Sequence, residues 1–188
     1  MADAYEVGIR VARALERAGL PYAVGGALAL GAHGAPRGTL DVDMNVFVEA
    51  VSLPATLAAL REAGMDVDAD AAQGDVARRG MFVGMVDGLR VDVFVPSIPF
   101  SWEAARTRVE MPLPEGGTAW FLSAEALLVF KLLFFRPKDL IDIARLAAFL
   151  GDRLDRAYVR AAIVEMMGDD DERVVKWDQI VAHEGHER

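Results

Sequence analysis

The sequence predicts an α+β protein, on three observations. Apolar and polar residues alternate over Leu40–Val48, which is typical of a strand with one buried face. Two strand-like runs flank Asp87-Gly88, a pair that favours the tight turn of a β-hairpin. Beyond Ser123 the apolar residues recur at helical spacing instead, so helices are expected to fill the C-terminal third.

Composition limits the kind of protein this can be. The chain has 188 residues, of which 53% are apolar, enough for one domain with a core or for a domain with a helical extension. It contains no cysteine, so neither a disulfide nor a thiolate metal site is available. The net charge of −9 argues against non-specific DNA binding, but it leaves a cationic acceptor or a basic protein partner open.

The sequence also lacks the marks of export and membrane insertion. Its N-terminus is acidic, without the basic segment of a signal peptide. The longest apolar run, Ala126 to Phe135, is interrupted by Lys131 and is too short to span a bilayer. We therefore expect a cytoplasmic protein without a membrane partner.

The N-terminal part predicts a helix, a glycine turn and a strand. Residues 4–19 carry apolar positions at helical spacing. A short apolar strand then breaks at Gly25-Gly26, and a helix to about Ala32 and a turn at 34–38 follow. The valines of the strand Leu40–Val48 are expected to lie on one face of the sheet. The other face is expected to carry four alternate residues: Asp41, Asp43, Asn45 and Phe47.

The middle of the chain combines a helix, an acidic stretch and a hairpin. Leu53–Ala63 predicts a helix. Asp66–Asp70 is acidic but lacks the Gly and Glu that a calcium loop of the EF-hand type needs, so we expect a solvated loop or edge. Met81–Val86 and Leu89–Val95 form the predicted hairpin, with Asp92 as a lone acid in its second strand.

The C-terminal part predicts helices after an irregular segment. Residues 96–117 are rich in Pro and Gly and should be largely irregular, with a short helix or strand inside. The segment 112–117 is the candidate boundary. It divides a core, residues 1–118, from a helical region packed on it, residues 119–188. Helices are predicted over Ala124–Phe135, Lys138–Phe149, 155–167 and 171–182, with Ile141, Leu146 and Phe149 on the apolar side of the second and a frayed tail from His183.

Asp41, Asp43 and Asp92 are the candidate catalytic residues and metal ligands. Alternate residues of a strand point to one side of a sheet, so Asp41 and Asp43 should lie together with Cα atoms about 7 Å apart. A third carboxylate from a neighbouring strand completes a set that can bind two Mg²⁺ ions, and such a pair promotes displacement at phosphorus. The alternative is an ordinary solvated strand, and the preceding Gly-Gly turn together with Asp92 favours the metal site.

Two features before this strand are candidate phosphate contacts. Gly25-Gly26 can bring backbone N–H groups close to an anion, although a lone Gly-Gly by itself favours a plain turn. Arg37 suits a bidentate phosphate contact, and neutralising Asp41 or Asp43 is an equal alternative. The sequence has neither a P-loop motif nor a nucleophile elbow, and His33, His183 and His186 form no ligand set.

Lys131 is an isolated cation within an apolar helix. A lysine in Leu-Leu-Val-Phe-Lys-Leu-Leu-Phe-Phe must be paired or must reach a cavity. It can pair with Asp139 or Asp142, which lie one helical turn apart. It can also reach a nucleotide phosphate while one of these acids holds it, and the resemblance described next favours this second interpretation.

Together these segments resemble the DNA-polymerase-β-type nucleotidyltransferase superfamily. The resemblance covers about residues 5–150, through Tyr22-Ala-Val-Gly-Gly-Ala-Leu-Ala, Arg37-Gly-Thr-Leu-Asp-Val-Asp-Met and Val91-Asp-Val-Phe. The segment from Ser123 to Asp142 is similar to the AbiEii-like bacterial nucleotidyltransferases, a branch that includes toxins of toxin–antitoxin pairs.

The resemblance implies a fold, a reaction and a set of roles. The fold is a small mixed β-sheet flanked by helices, with a C-terminal helical bundle. The reaction moves an NMP from an NTP to an acceptor hydroxyl with two Mg²⁺, or Mn²⁺, as cofactors. Asp41 and Asp43 would hold both metals, and Asp92 would complete the site and help to deprotonate the hydroxyl. Asp139 and Asp142 would position Lys131 or the acceptor. The triphosphate would be held by five residues: Gly25, Gly26, Arg37, Thr39 and Lys131.

One departure from the superfamily leaves the acceptor open. Many members carry Gly-Ser where this chain has Gly25-Gly26, so a hydroxyl contact to phosphate is missing. The acceptor could be an RNA end or a protein, as for a toxin with a cognate antitoxin. It could be a small cationic molecule of the aminoglycoside or lincosamide kind, and the fold could also serve a non-catalytic binding partner.

Overall fold

The computed structural model describes residues 3–184, the last two by their backbone alone. Its helices are α1 (Ala4–Arg17), α2 (Gly26–Ala32), α3 (Leu53–Glu62), α4 (Ala69–Arg79), α5 (Pro99–Thr107), α6 (Ala124–Phe134), α7 (Pro137–Leu150), α8 (Arg156–Met167) and α9 (Glu172–Glu184). Its strands are β1 (Tyr22–Val24), β2 (Asp41–Val46), β3 (Met81–Val86), β4 (Leu89–Phe94), β5 (Val109–Pro112) and β6 (Thr118–Phe121). None of the described helices is long and apolar enough to cross a membrane.

The strands form one mixed sheet, which confirms the predicted α+β class. Their order is β3-β4-β2-β1-β6-β5. The β4–β2 and β1–β6 pairs are parallel, and the other neighbours are antiparallel. The parallel pairing of β2 with β4 sets Asp43 opposite Asp92 and Asp41 opposite Arg90.

Helix α1 shows how local sequence starts the fold. Asp3 accepts from the backbone N–H of Glu6 at 2.8 Å, and the Glu6 carboxylate accepts from the Asp3 N–H, so the first helical turn is capped from both sides. Val7, Val11 and Leu15 are fully buried and pack the helix onto the sheet. The predicted amphipathic helix is therefore confirmed.

Two stretches predicted to be irregular contain regular structure. The acidic stretch after Asp66 leads into α4, because Asp68 caps that helix by accepting from Ala71 N at 2.7 Å. Its few apolar residues hid the helical period, and only Ala72 is buried within it. Residues 96–117 likewise hold α5 and β5 rather than a mostly irregular segment.

The segment 112–117 joins two strands of one sheet. Leu113 N donates to Gly117 O at 3.0 Å, and Pro112 lies opposite Thr118 in the β5–β6 pair. The proposed boundary after residue 118 therefore falls within β6, which lies between β1 and β5. The division into two parts stays a prediction.

The C-terminal helices follow the predicted bounds closely, but the buried face of α7 differs in part from the prediction. Leu146 is fully buried as predicted, whereas Ile141 and Phe149 are 61% and 52% exposed. The prediction was wrong for these two residues, because the inward face combines Ile143, Leu146 and Ala147 with the buried acids Asp139 and Asp142. Of the predicted tail, residues 183–184 end α9, and residues 185–188 lie outside the described residues.

Candidate functional site

Three carboxylates meet at one edge of a cavity of about 1320 Å³. Asp41 and Asp43 lie on β2 at alternate positions, and Asp92 lies opposite Asp43 on the parallel strand β4. Residues opposite each other in a parallel pair share a face of the sheet, so all three side chains point the same way. All three line the cavity.

Asp43 is the most perturbed of the three acids. Burial raises its pKa, and the charges of Asp41 and Asp92 raise it further, to about 6 from an ordinary 3.8. Lys131 and Lys138 act in the opposite direction and only in part offset the shift. The neighbouring lysines therefore do not balance the negative charge of ionised Asp43. A carboxylate in such surroundings is stabilised by a bound cation.

The Gly-Gly turn is shaped by this carboxylate. Gly26 has a φ of +53°, and a Cβ added there would lie 1.7 Å from Asp43 Oδ2. No side chain at position 26 fits beside Asp43 as it stands. The missing hydroxyl of the superfamily's Gly-Ser pair therefore has a steric cause here.

The other two acids are engaged by neighbours on their own strands. Arg90 Nε donates to Asp92 Oδ1 at 2.6 Å, and the Thr39 hydroxyl donates to the carboxylate of Asp41. The arginine's other nitrogens stay partly open, since its side chain is 52% exposed. Arg90 thus supplies Asp92 with a positive charge, as a bound metal ion would.

The donor set fits a divalent cation in its chemistry. Oxygen ligands from adjacent strands suit Mg²⁺, and Asp43 lies buried between two further carboxylates that raise its pKa. Among residues 3–184, however, no three acidic or histidine side chains are already arranged as a metal site. Asp92 must turn away from Arg90 before the set can close.

A buried ion network stands beside the carboxylates. Lys131 Nζ donates to Asp142 Oδ2 at 2.7 Å and to Asp139 Oδ1 at 3.4 Å. Arg37 Nε donates to both oxygens of Asp142 at 3.1 Å, and Arg136 Nε donates to Asp139 Oδ2 at 2.6 Å. Three cations thus share two buried acids, which leaves one positive charge in excess beside the cavity.

The network settles two alternatives that the sequence left open. Arg37 neutralises neither Asp41 nor Asp43, because its partner is Asp142 on α7. Lys131 pairs with both candidate acids and also lines the cavity, so pairing and reaching the cavity are compatible. Its ammonium has three N–H donors, of which these acids take two.

The remaining predicted residues are distributed around the same place. Gly26, Arg37 and Asp139 line the cavity, and Thr39 lines a shallow depression next to it. Asp142 lies behind the wall, and the added Cβ at Gly25 would approach Asn45 rather than open space. The structure thus places the predicted residues together, and their individual roles stay predictions.

Several cavity residues had not been identified from the sequence. Arg90, Arg136 and Lys138 bring positive charge, and the apolar part of the wall comes from β4, α5, α6 and α8. The signal for Arg136 and Lys138 was their position around Pro137, which indicated only a helix break. His33 Nε2 lies 2.7 Å from the backbone oxygen of Leu122, a structural contact outside the cavity.

Two solved structures resemble this fold. A solution structure of the antibiotic-resistance factor ANT(2'')-Ia is 16% identical with a TM-score of 0.58, and the match covers 98% of this chain and all of the other. A crystal structure of ANT(2'')-Ia in complex with adenylyl-2''-tobramycin is 16% identical with a TM-score of 0.59, and covers 86% of this chain and 98% of the other. No family model and no curated protein sequence matches the chain.

The likeness establishes a class of fold. At 16% identity it concerns the fold alone, and the chain has the fold of the polymerase-β-type nucleotidyltransferases. This agrees with the superfamily that the sequence motifs predicted. It gives no support to the AbiEii-like branch within it.

The raised pKa of Asp43 predicts how stability depends on pH. Between its ordinary pKa of 3.8 and the folded value of about 6, the folded state keeps a proton that the unfolded state releases. Stability should therefore fall as pH rises through this window. At pH 8 in EDTA, we expect Asp43→Asn to raise the free energy of unfolding by about 2 kcal/mol, and the gain should shrink towards pH 4.

Urea unfolding at the two pH values measures this effect. Asp70→Asn, which removes an exposed acid of α4, is the control and should change the free energy of unfolding little at either pH. A loss of stability in Asp43→Asn at pH 8 would contradict the burial and repulsion described for this carboxylate.

The Arg90–Asp92 pair predicts a gain in metal affinity. Replacing Arg90 by Gln removes the cation that holds Asp92, so the third carboxylate becomes available to a divalent ion. Because the Arg90 side chain is half exposed, we expect a modest gain, about threefold in Mn²⁺ affinity by electron paramagnetic resonance. The control Arg10→Gln, which breaks an exposed pair with Asp87, should leave the Mn²⁺ affinity unchanged. An unchanged affinity in Arg90→Gln would show that the Arg90–Asp92 pair does not limit metal binding.

The buried network predicts a large loss on removing one acid. Asp142→Asn leaves Lys131 and Arg37 without their shared charge, and breaking a buried pair from one side costs about 3 kcal/mol or more. Chemical denaturation should show this loss. Asp178→Asn, in an exposed pair with Arg160, should change stability little, and equal losses in both variants would argue against a role for burial.

Proposed function

We propose that the chain is a metal-dependent nucleotidyltransferase that moves an NMP from an NTP to a hydroxyl of a small molecule. One observation carries the proposal: three carboxylates on adjacent strands share a large cavity with a row of cations. Acids suit the reacting centre and its metal, and cations suit a triphosphate. The neighbours in fold support nucleotidyl transfer as the reaction class.

The carboxylates would serve the reacting end of the cavity. Asp41 and Asp43 would hold two divalent ions with Asp92 as the third ligand, and Mg²⁺ there would offset the charge that develops on the phosphoryl oxygens. The acceptor oxygen attacks the α-phosphorus, and the bond from that phosphorus to the pyrophosphate oxygen breaks. An Asp92 carboxylate oxygen, released from Arg90, takes the proton of the attacking hydroxyl.

The cations would hold the triphosphate. Arg37 and Lys131 are fixed by Asp142, so they present their charge with little loss of side-chain freedom. Arg136 and Lys138 extend the positive charge along the cavity wall. Backbone N–H groups at Gly25-Gly26 and the hydroxyl of Thr39 stay secondary candidates for phosphate contact.

The choice of a small acceptor draws on the neighbouring structures. The crystal structure of ANT(2'')-Ia holds adenylyl-2''-tobramycin, a nucleotide joined to a small hydroxylated molecule. The second candidate is transfer to an RNA end or a protein by a toxin-like enzyme with an antitoxin. It is favoured by the segment from Ser123 to Asp142, whose Lys131, Asp139 and Asp142 form the buried network.

Isothermal titration calorimetry tests the proposal directly. We expect ATP or another NTP to bind in the presence of Mg²⁺, with binding lost in Asp43→Ala because the metal loses its central ligand. Asp70→Ala, an exposed acid outside the cavity, is the matched control and should bind as the wild type does. If no NTP binds with either Mg²⁺ or Mn²⁺, or if Asp43→Ala binds normally, the proposal is wrong.

A further inference from the structure

The cavity continues past Asp92 along an apolar wall. Phe94 follows Asp92 by two residues on the same face of β4, and its ring centroid lies 5.9 Å from that of Phe134 on α6. Trp102 of α5 and Met167 of α8 line the same cavity. We call these four side chains, Phe94, Trp102, Phe134 and Met167, the aromatic wall.

The aromatic wall is unusually open to solvent for such residues. Trp102, Phe134 and Met167 are 46%, 48% and 40% exposed. Large apolar side chains gathered in a concave site, and not scattered over the surface, mark a place where an apolar ligand face is covered. Such a ligand gains the free energy of removing this surface from water.

The size of the cavity leaves room for two ligands. Pockets for a single drug-sized ligand measure roughly 300–1000 Å³, whereas this cavity measures about 1320 Å³. Lys131 and Arg37 belong to the buried network, and the aromatic wall begins on the strand that carries Asp92. Arg136, whose guanidinium lies 4.8 Å from the Phe134 ring centroid, is where the cations and the wall adjoin. A nucleotide at the cations and an acceptor at the wall would thus meet at the carboxylates.

The charges near the aromatic wall are almost all neutralised by the protein itself. Glu103 pairs with Arg106 and accepts from the Tyr158 hydroxyl at 3.2 Å. Arg79 pairs with Asp75 at 2.5 Å. Glu165 is different, because within residues 3–184 the structure records no ion pair or hydrogen bond for its side chain. The wall therefore offers one open carboxylate to a ligand.

We propose that the aromatic wall binds the acceptor, and that the acceptor is a hydroxylated molecule with an apolar face and at most one positive charge. This rests on the proposed function, whose reacting centre the wall adjoins. A polyamine sugar such as tobramycin carries several positive charges, and one open carboxylate cannot neutralise them. The acceptor class thus differs from that of the ligand seen in the neighbouring crystal structure.

The spacing along β4 adds a constraint on the acceptor. Cα atoms two residues apart on a strand are separated by about 7 Å, so a ring stacked on Phe94 lies close to Asp92. The reacting hydroxyl must therefore be borne near the apolar face and not at the end of a long polar arm. Glu165, which lies on α8 with Met167, would face a single cationic group on the other side of that ring.

Binding of three probes to the full chain tests the proposal without nucleotide or turnover. The probes are 2-naphthyl β-D-glucopyranoside, methyl β-D-glucopyranoside and tobramycin, observed by saturation-transfer NMR and calorimetry. The two glucosides share their hydroxyls and differ only in the apolar group. We expect the naphthyl glucoside to bind about tenfold or more tightly than the methyl glucoside, and tobramycin to bind no better than the methyl glucoside.

A matched pair of variants locates the binding site. Phe134→Ala should weaken naphthyl glucoside binding about fivefold or more, whereas Phe149→Ala, a similarly exposed phenylalanine outside the cavity, should not. Phe134→Ala also removes the ring on which Arg136 rests, so ATP binding is compared in Trp102→Ala and Phe149→Ala, neither of which should change binding of ATP with Mg²⁺. Circular dichroism of both variants checks that they are folded, and Trp102→Ala provides a second variant of the wall.

The possible results separate this proposal from the proposed function. Tobramycin binding more tightly than the naphthyl glucoside would overturn the acceptor class. Failure of the naphthyl glucoside to bind would do the same and leave nucleotide binding standing. Equal weakening of ATP and glucoside in Trp102→Ala would assign the wall to the nucleobase and overturn its assignment to the acceptor. Loss of ATP binding alone would count against the nucleotidyltransferase proposal only.

Discussion

Repulsion among three carboxylates is the constraint on which the rest of the site depends. Asp41, Asp43 and Asp92 cannot move apart, because β2 and β4 are hydrogen bonded and fix them on one face. Burial strengthens the repulsion and raises the pKa of Asp43 to about 6. Arg90 offsets part of this repulsion by pairing with Asp92, and Gly26, which has no side chain, leaves space for the Asp43 carboxylate. In the proposed function, a divalent cation bound here would offset the remaining repulsion.

The buried ion network ties the C-terminal helices to this sheet. Asp142 on α7 holds Lys131 of α6 and Arg37 of the segment before β2, so one carboxylate fixes two cations from distant parts of the chain. The cost is a helix that buries acids and leaves Ile141 and Phe149 exposed. Apolar residues in the place of such a network would commonly be as stable. What the network provides is positive charge at a defined place beside the carboxylates.

The cavity separates two kinds of recognition. At the cation end, charge dominates, as expected for a triphosphate. At the aromatic wall, the local charges cancel in pairs such as Glu103–Arg106, although the whole chain carries −9. The acidic balance of the sequence had favoured a cationic acceptor, but net charge says nothing about where the acids lie. The described surface around the wall points to apolar contact with at most one charge.

The sequence by itself determined the class of fold, most element positions and the three carboxylates, because strand alternation, glycine turns and helical spacing are local patterns. It missed α4, whose helical period lacks apolar residues, and it wrongly placed Ile141 and Phe149 on the buried face of α7. Only the tertiary structure decided that Arg37 pairs with Asp142, that Arg90 holds Asp92, and that residues of β4, α5, α6 and α8 form one wall. These contacts join residues far apart in the chain or choose between equivalent partners, and no local pattern specifies which partner the fold brings within reach.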